Sequence, residues 1–194
     1  MPLETTKMVP GAKLDLTKAA GEAGLTEVTI GLGWDVNPSV GGAAFDADAT
    51  VVLTEADEKT DQKNVVYFGQ LTSGDGSTVH TGDNLTGEGD GDDEQIHIDL
   101  TKVDPALTKA IIYVSIYQAI ERNQTFGMLA NAFVRIVNKT TGEELCRMDL
   151  EFDADMATQL RFGSLVKRGD AWFFSAEKIA VDGGIQGIVD THVK

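Results

Sequence analysis

The sequence predicts an all-β protein: a two-sheet antiparallel β-sandwich with short helices, one of them at the C-terminus. Three observations predict it. Apolar and polar residues alternate with period two over much of the chain. Helical periodicity is scarce. Glycine-rich turns separate about nine short strand-like segments, the pattern of a sandwich.

The strands follow in order. Val28, Ile30, Leu32 and Trp34 alternate with Thr29, Gly31 and Gly33. Phe45, Ala47, Ala49, Val51 and Leu53 alternate with Asp46, Asp48 and Thr50. Ile96, Ile98 and Leu100 alternate with His97 and Asp99. Each set reads as a strand with one buried face. Residues 65–68 and 111–117 are more continuously apolar, as expected of inner strands. Residues 129–137, 145–150, 159–166 and 172–176 complete the set, with a hairpin turn at Thr140-Thr141-Gly142. Residues 103–109, around Asp104-Pro105, are expected to form one or two helical turns. Gly183 to Val193 places Ile185, Ile188 and Val189 on one helical face, which predicts a short docking helix. The 194 residues suit one domain spanning 1–194, with residues 1–10 loose.

The formal net charge is −15, with 31 acidic against 16 basic residues. Such a surface repels nucleic acid, whose affinity comes from Lys and Arg on phosphates. Cys146 is the only cysteine, so no intrachain disulfide forms, in keeping with a reducing compartment. Residues 1–16 lack the apolar run of a signal peptide, and no stretch approaches the ~20 apolar residues of a membrane span. A cytoplasmic protein without direct membrane insertion is expected.

The charge is unevenly placed. Between Lys63 and Lys102 there is no Lys or Arg, and the densest part of that interval runs from Asp83 to Glu94. It holds Asp83, Asn84, Glu88, Asp90, Asp92, Asp93 and Glu94, with glycines at 87, 89 and 91. This is either a solvated charge run or a site for a hard cation. The glycines let the chain curl and aim successive oxygens at one point. Two carboxylates ~6 Å apart repel by roughly 0.7 kcal/mol in water and ~3 kcal/mol at an effective dielectric of 20. Ca²⁺ suits the loop, because it takes six to eight oxygens in a forgiving geometry; Mg²⁺ ranks second. Asp46 and Asp48, two apart in a strand, share a face and can join the cluster or simply face solvent. Asp35 can join it too, or serve as a turn residue before Asn37-Pro38. The loop is not an EF-hand, having Gln95 and Thr101 where Gly and Glu are required, and it lacks the Gly-Lys-Ser/Thr of a phosphate loop. No nucleophile turn and no Ser–His–Asp arrangement stands out, so no enzyme is expected.

Several segments together are similar to a known family. Gly31-Leu32-Gly33-Trp34-Asp35, Phe45-Asp46-Ala47-Asp48-Ala49 and Gly82 through Glu94 resemble the TerD domain of tellurite-resistance and stress-response proteins. The likeness continues through Lys13-Leu14-Asp15-Leu16-Thr17-Lys18, Ile98-Asp99-Leu100, Phe126-Gly127-Met128, Arg147-Met148-Asp149-Leu150 and Gly183-Gly184, nearly the whole chain. Residues 18–27 are longer and looser than expected of the family, and 36–44 also vary. The resemblance implies a calcium-binding, non-enzymatic β-sandwich acting with other Ter-type proteins, including a membrane partner. It carries the family's acidic positions to Asp46, Asp48, Asp83, Asn84, Glu88, Asp90, Asp92, Asp93 and Glu94. The acids are numerous enough for two adjacent Ca²⁺ ions. The expected role is a Ca²⁺-dependent sensor or scaffold for partner proteins; the alternative is a Ca²⁺-dependent lectin-like or lipid-binding module.

Overall fold

A computed structural model describes residues 5–36, 45–82, 91–149 and 156–194. Two six-stranded sheets face each other. Along the chain come β1 (Thr6–Lys7), β2 (Lys13–Asp15), α1 (Leu16–Ala19), β3 (Glu27–Val36), β4 (Ala47–Thr54), β5 (Val65–Val66), β6 (Thr78–His80) and β7 (Glu94–Asp99). There follow β8 (Lys109–Ile116), α2 (Ala119–Arg122), β9 (Leu129–Asn138), β10 (Glu143–Asp149), β11 (Gln159–Arg168), β12 (Ala171–Ala180) and α3 (Gly184–His192). One sheet has the order β1-β10-β9-β3-β7-β6 and the other β2-β12-β11-β8-β4-β5. All described pairings between these strands are antiparallel except β1 with β10. The expected sandwich is therefore the observed one.

The core lies between the sheets. Val28, Ile30, Leu32 and Trp34 of β3 meet Ala47, Ala49, Val51 and Leu53 of β4, with Ile96 and Ile98 of β7 and Ala110, Ile112 and Val114 of β8. The continuous apolar run of β8 has two causes. Its inner residues fill the core, and its outer residues Ile111 and Tyr113 are covered by Ile185 and Ile188 of α3. The predicted docking helix is thus present and seated on the outer face of β4 and β8. His192 fastens its end: Nδ1 lies 2.7 Å from the Glu58 carbonyl and Nε2 lies 2.7 Å from the Tyr113 hydroxyl.

The structure departs from the expected elements in four places. Residues 103–109 form turns rather than a helix, and β8 begins at Lys109. Residues 5–10, expected to be loose, contain β1, which pairs with Cys146 and Arg147, and Met8 is buried. The looser stretch after Lys18 is a turn of α1 followed by a 3₁₀ turn at Gly21–Ala23. Only Val65–Val66 of the expected 65–68 strand pairs with β4. That short partner leaves part of the β4 edge to be satisfied by other groups.

Candidate metal centre

The site is built on β3. Strand residues 31 and 33 are glycines, and both have the same cause. A Cβ on Gly31 would lie 2.3 Å from Asp92 Oδ2, and one on Gly33 would lie 2.5 Å from the Phe133 ring and 2.6 Å from the Gly91 carbonyl oxygen. The bare backbone of β3 is therefore a track on which residues 91 and 92 rest. A bulge between Gly33 and Asp35 in the pairing with β9 then re-aims the end of the strand, where Asp35 sits.

Three consecutive acids leave this track in three directions. Asp92 lies on the outer face, over Gly31, between that residue's cross-strand neighbours Gln95 and Arg135. Arg135 Nε and Nη2 donate to its two oxygens at 2.7 and 3.1 Å, and Gln95 Nε2 donates at 3.0 Å. Arg135 also donates to Glu144 Oε2 at 3.0 Å. Asp93 stays in the plane of the sheet. Its N–H donates to the Leu32 carbonyl at 2.8 Å, and its Oδ2 accepts the Trp34 N–H at 2.9 Å.

Glu94 turns inward, on the same face as Ile96 and Ile98. Its Oε2 accepts the Ala49 N–H at 2.7 Å, past the point where β5 pairs with β4. The same oxygen lies 3.5 Å from His80 Nε2, and both side chains are wholly buried. The Gly82 N–H donates to His80 Nδ1 at 3.1 Å, which leaves the ring proton on Nε2, facing Glu94. The His80–Glu94 clasp ties neighbouring strands of one sheet, with Gly82 and Glu94 on either side of the acidic loop, and the Glu94–Ala49 bond joins that sheet to the other.

Asp46 and Asp48 come from β4. The expected alternation holds, since Phe45, Ala47 and Ala49 enter the core. The two aspartates are not open to solvent, however, being 6% and 3% exposed. The Tyr117 N–H donates to the Asp46 carbonyl at 2.8 Å, so the turn after β8 closes against the start of β4. Asp35 Oδ2 accepts from Asn131 Nδ2 at 2.7 Å.

The structure thus brings Asp35, Asp92 and Asp93 together, with Glu94 next to them and tied to β4 near Asp46 and Asp48. Asp83, Asn84, Glu88 and Asp90 lie outside the described residues. Burial raises the ionisation of the Asp93 carboxyl above the ordinary carboxylate value, and the negative charges of Asp35 and Asp92 add to this. Among the described residues no group of three or more His, Cys, Asp and Glu closes on one point. The sequence interval 64–101 holds no Lys or Arg, yet in space Arg135 of β9 pairs with Asp92. That partner carried no local signal, being 43 residues away. His80, Gln95 and the Ala49 N–H likewise carry no signal in the sequence as partners of these acids. Only the glycines of β3 offered a clue, because glycine inside a strand marks a close approach.

The TerD domain model matches residues 5–192. The chain is 43% identical over 189 residues to general stress protein 16U of Bacillus subtilis (strain 168), covering 97% of both chains. It is 40% identical over 179 residues to the tellurium resistance protein TerD of an Alcaligenes species, covering 92% of both. The fold matches that of a solved Streptomyces coelicolor A3(2) homologue of telluride resistance protein (TerD), with a TM-score of 0.65 at 23% identity over 85% of this chain and 96% of that one. A match over nearly the whole chain, at 40% identity or more to these relatives, places this chain in the TerD domain family.

Proposed function

We propose that this chain is a calcium-binding, non-enzymatic protein that acts in tellurite resistance and stress response as a Ca²⁺-dependent sensor or scaffold for partner proteins. The observation that carries the reading is the crowding at Asp93. Its carboxyl is raised by burial and by Asp35 and Asp92, even though Arg135 already holds Asp92. Negative charge gathered in this way is relieved by a hard cation. The role in resistance and stress response rests on the names of the relatives.

In this reading the acids divide the work. Asp92 and Glu94 anchor the loop exit, through Arg135 and through Ala49. Asp35, Asp46, Asp48 and Asp93 face the cation, and Asp83, Asn84, Glu88 and Asp90 complete the oxygens for two ions. A bound Ca²⁺ supplies charge neutralisation. The protein's residues then convert it into a stiffened loop, held at both ends by the His80–Glu94 clasp. The Glu94–Ala49 bond links that stiffening to β4, and other Ter-type proteins, at a membrane complex in the cytoplasm, would read the altered surface.

Thermal unfolding with and without Ca²⁺ tests the proposal. An ion that binds only the folded state at ~100-fold excess over Kd adds roughly 2.7 kcal/mol. The unfolding midpoint should rise with Ca²⁺. A midpoint unchanged at millimolar Ca²⁺ would sink the reading.

A further inference from the structure

We infer that the outer face of the second sheet, on β2, β12 and β11, holds a site for a small phosphate monoester, with Lys13 and Arg168 on the phosphate and Val166 and Phe173 under the ester's apolar body. The inference stands apart from the calcium reading. Strand β8 runs from Lys109, on the lining of this site, to Ile116, beside the start of β4, about 23 Å at ~3.3 Å per residue.

Sheet alternation builds the site. Trp172, Phe174 and Ala176 of β12 and Leu165 of β11 enter the core. Their neighbours Phe173, Ser175, Ser164 and Val166 therefore face outward. Helix α3 covers this outer face at β4 and β8, where Val52, Ile111 and Tyr113 meet Ile185 and Ile188. At β11 and β12 the face carries a cavity of about 220 Å³ instead. That is smaller than the ~300–1,000 Å³ clefts of drug-sized ligands, so it suits a small molecule.

The lining sets Lys13, Lys109, Arg161 and Arg168 against Glu58 and Glu177, an excess of two positive charges. Internal pairing accounts for the others. Arg161 donates to both oxygens of Glu58 at 2.7 and 2.9 Å, its Nε pairs with Glu177, and Lys109 reaches Glu58 at 3.2 Å. Both carboxylates are thereby neutralised and do not repel an anion. Among the described residues, neither Lys13 nor Arg168 has an ion-pair partner. Asp15 and Asp170 are near them in sequence, but neither lines the cavity, and Asp15 accepts the Lys18 N–H at 2.9 Å to cap α1. The chain as a whole carries −15, yet at physiological salt charges more than about 8 Å away are largely screened, so the local excess decides.

The two cations flank one floor. The turn at Gly169, with φ 60°, sets Arg168 opposite Ala171, and the Arg168 guanidinium lies 5.6 Å from the centre of the Phe173 ring. Phe173 in turn pairs with Val166 on β11 and with Asp15 on β2. Lys13 stands across from Ser175, whose hydroxyl has no hydrogen-bond partner among the described residues. A guanidinium fork, an ammonium and a hydroxyl suit phosphate oxygens. A phosphate monoester carries roughly −1.5 to −2 at pH 7, which matches the excess of two, whereas a single carboxylate leaves one cation unmatched.

Isothermal titration of the full chain with phenyl phosphate, inorganic phosphate and phenol tests the site. Phenyl phosphate should bind once per chain, inorganic phosphate more weakly for want of an apolar body, and phenol not measurably. Lys13→Gln and Arg168→Gln, both at exposed positions, should each weaken phenyl phosphate binding about tenfold with the thermal midpoint unchanged. Lys102→Gln, at an exposed cation elsewhere, should leave binding as it is. No binding of phenyl phosphate at millimolar concentration would overturn the inference, as would binding that both Lys13→Gln and Arg168→Gln leave intact. An equal loss in Lys102→Gln would reduce the effect to unspecific charge attraction and overturn it too. Inorganic phosphate binding as tightly as phenyl phosphate would overturn the ester assignment. Calcium titration of the same variants should match wild type, so failure here leaves the calcium reading standing, and the reverse holds.

Discussion

Arg135 grips Asp92 over the bare backbone of Gly31, with Nε 2.7 Å from Oδ1 and Nη2 3.1 Å from Oδ2. The acidic loop is therefore not a string of equivalent carboxylates. Its exit is stapled to sheet structure by its own side chains, and the staple depends on a missing side chain one strand away.

The Gly31→Ala variant tests that dependence. Its Cβ would lie 2.3 Å from Asp92 Oδ2 and must push the carboxylate off Arg135. We expect a loss of about 2 kcal/mol, the scale of overpacking a well-filled site. Urea unfolding checks it, and an unchanged midpoint would show that Asp92 is not held on Gly31.

A double-mutant cycle on Asp92→Asn and Arg135→Gln measures the pair itself. Asp92 is nearly wholly buried and Arg135 is 29% exposed, so Asp92→Asn should cost about 2 kcal/mol. Part of Arg135's charge stays compensated by Glu144. The two losses should be clearly non-additive. Additivity within error would mean that the pair contributes nothing measurable.

Acid sensitivity should come from a different place. The Arg161 guanidinium holds Glu58 down to about 2 from an ordinary 4.5, assisted by Lys109. A depressed carboxylate contributes stability above its unfolded value, and that contribution is lost as the pH falls from about 4.5 to about 2. Because the carboxylate is partly exposed, its contribution is about 2 kcal/mol rather than the full value of the shift. The stability gap between wild type and Glu58→Gln should therefore narrow from pH 5 to pH 2. A gap independent of pH would contradict this.

Cys146 should be inert in the folded protein. It is 1% exposed, and burial pushes its thiol up to about 12. Alkylation in native buffer should be slow and should follow global unfolding. Fast labelling under native conditions would mean that the β9–β10 region opens locally.

The sandwich was legible because β3, β4, β7 and β8 are long enough to display a period, and Ile185 and Ile188 mark the face of α3. Strands β1, β2 and β6 have two or three residues each, too few to show alternation. Residues 103–109 looked helical from a proline start, but they serve as turns leading into β8. The acids of the site were legible as a cluster. Their partners were not: Arg135, His80 and Ala49 come from elements far along the chain and meet the loop only through sheet pairing. Asp46 and Asp48 alternate with the core positions of β4, but that pattern says nothing of their burial.

Calcium titration with a count of ions, on wild type and on Asp46→Asn, addresses the proposed role most directly. Two ions per chain are expected for wild type. For Asp46→Asn we expect a weakened or lost ion with the folded state retained, since the substitution removes a charge from a crowded acidic end. No binding to wild type at millimolar Ca²⁺, or identical binding by both proteins, would contradict the assignment of Asp46 and the loop to one calcium centre.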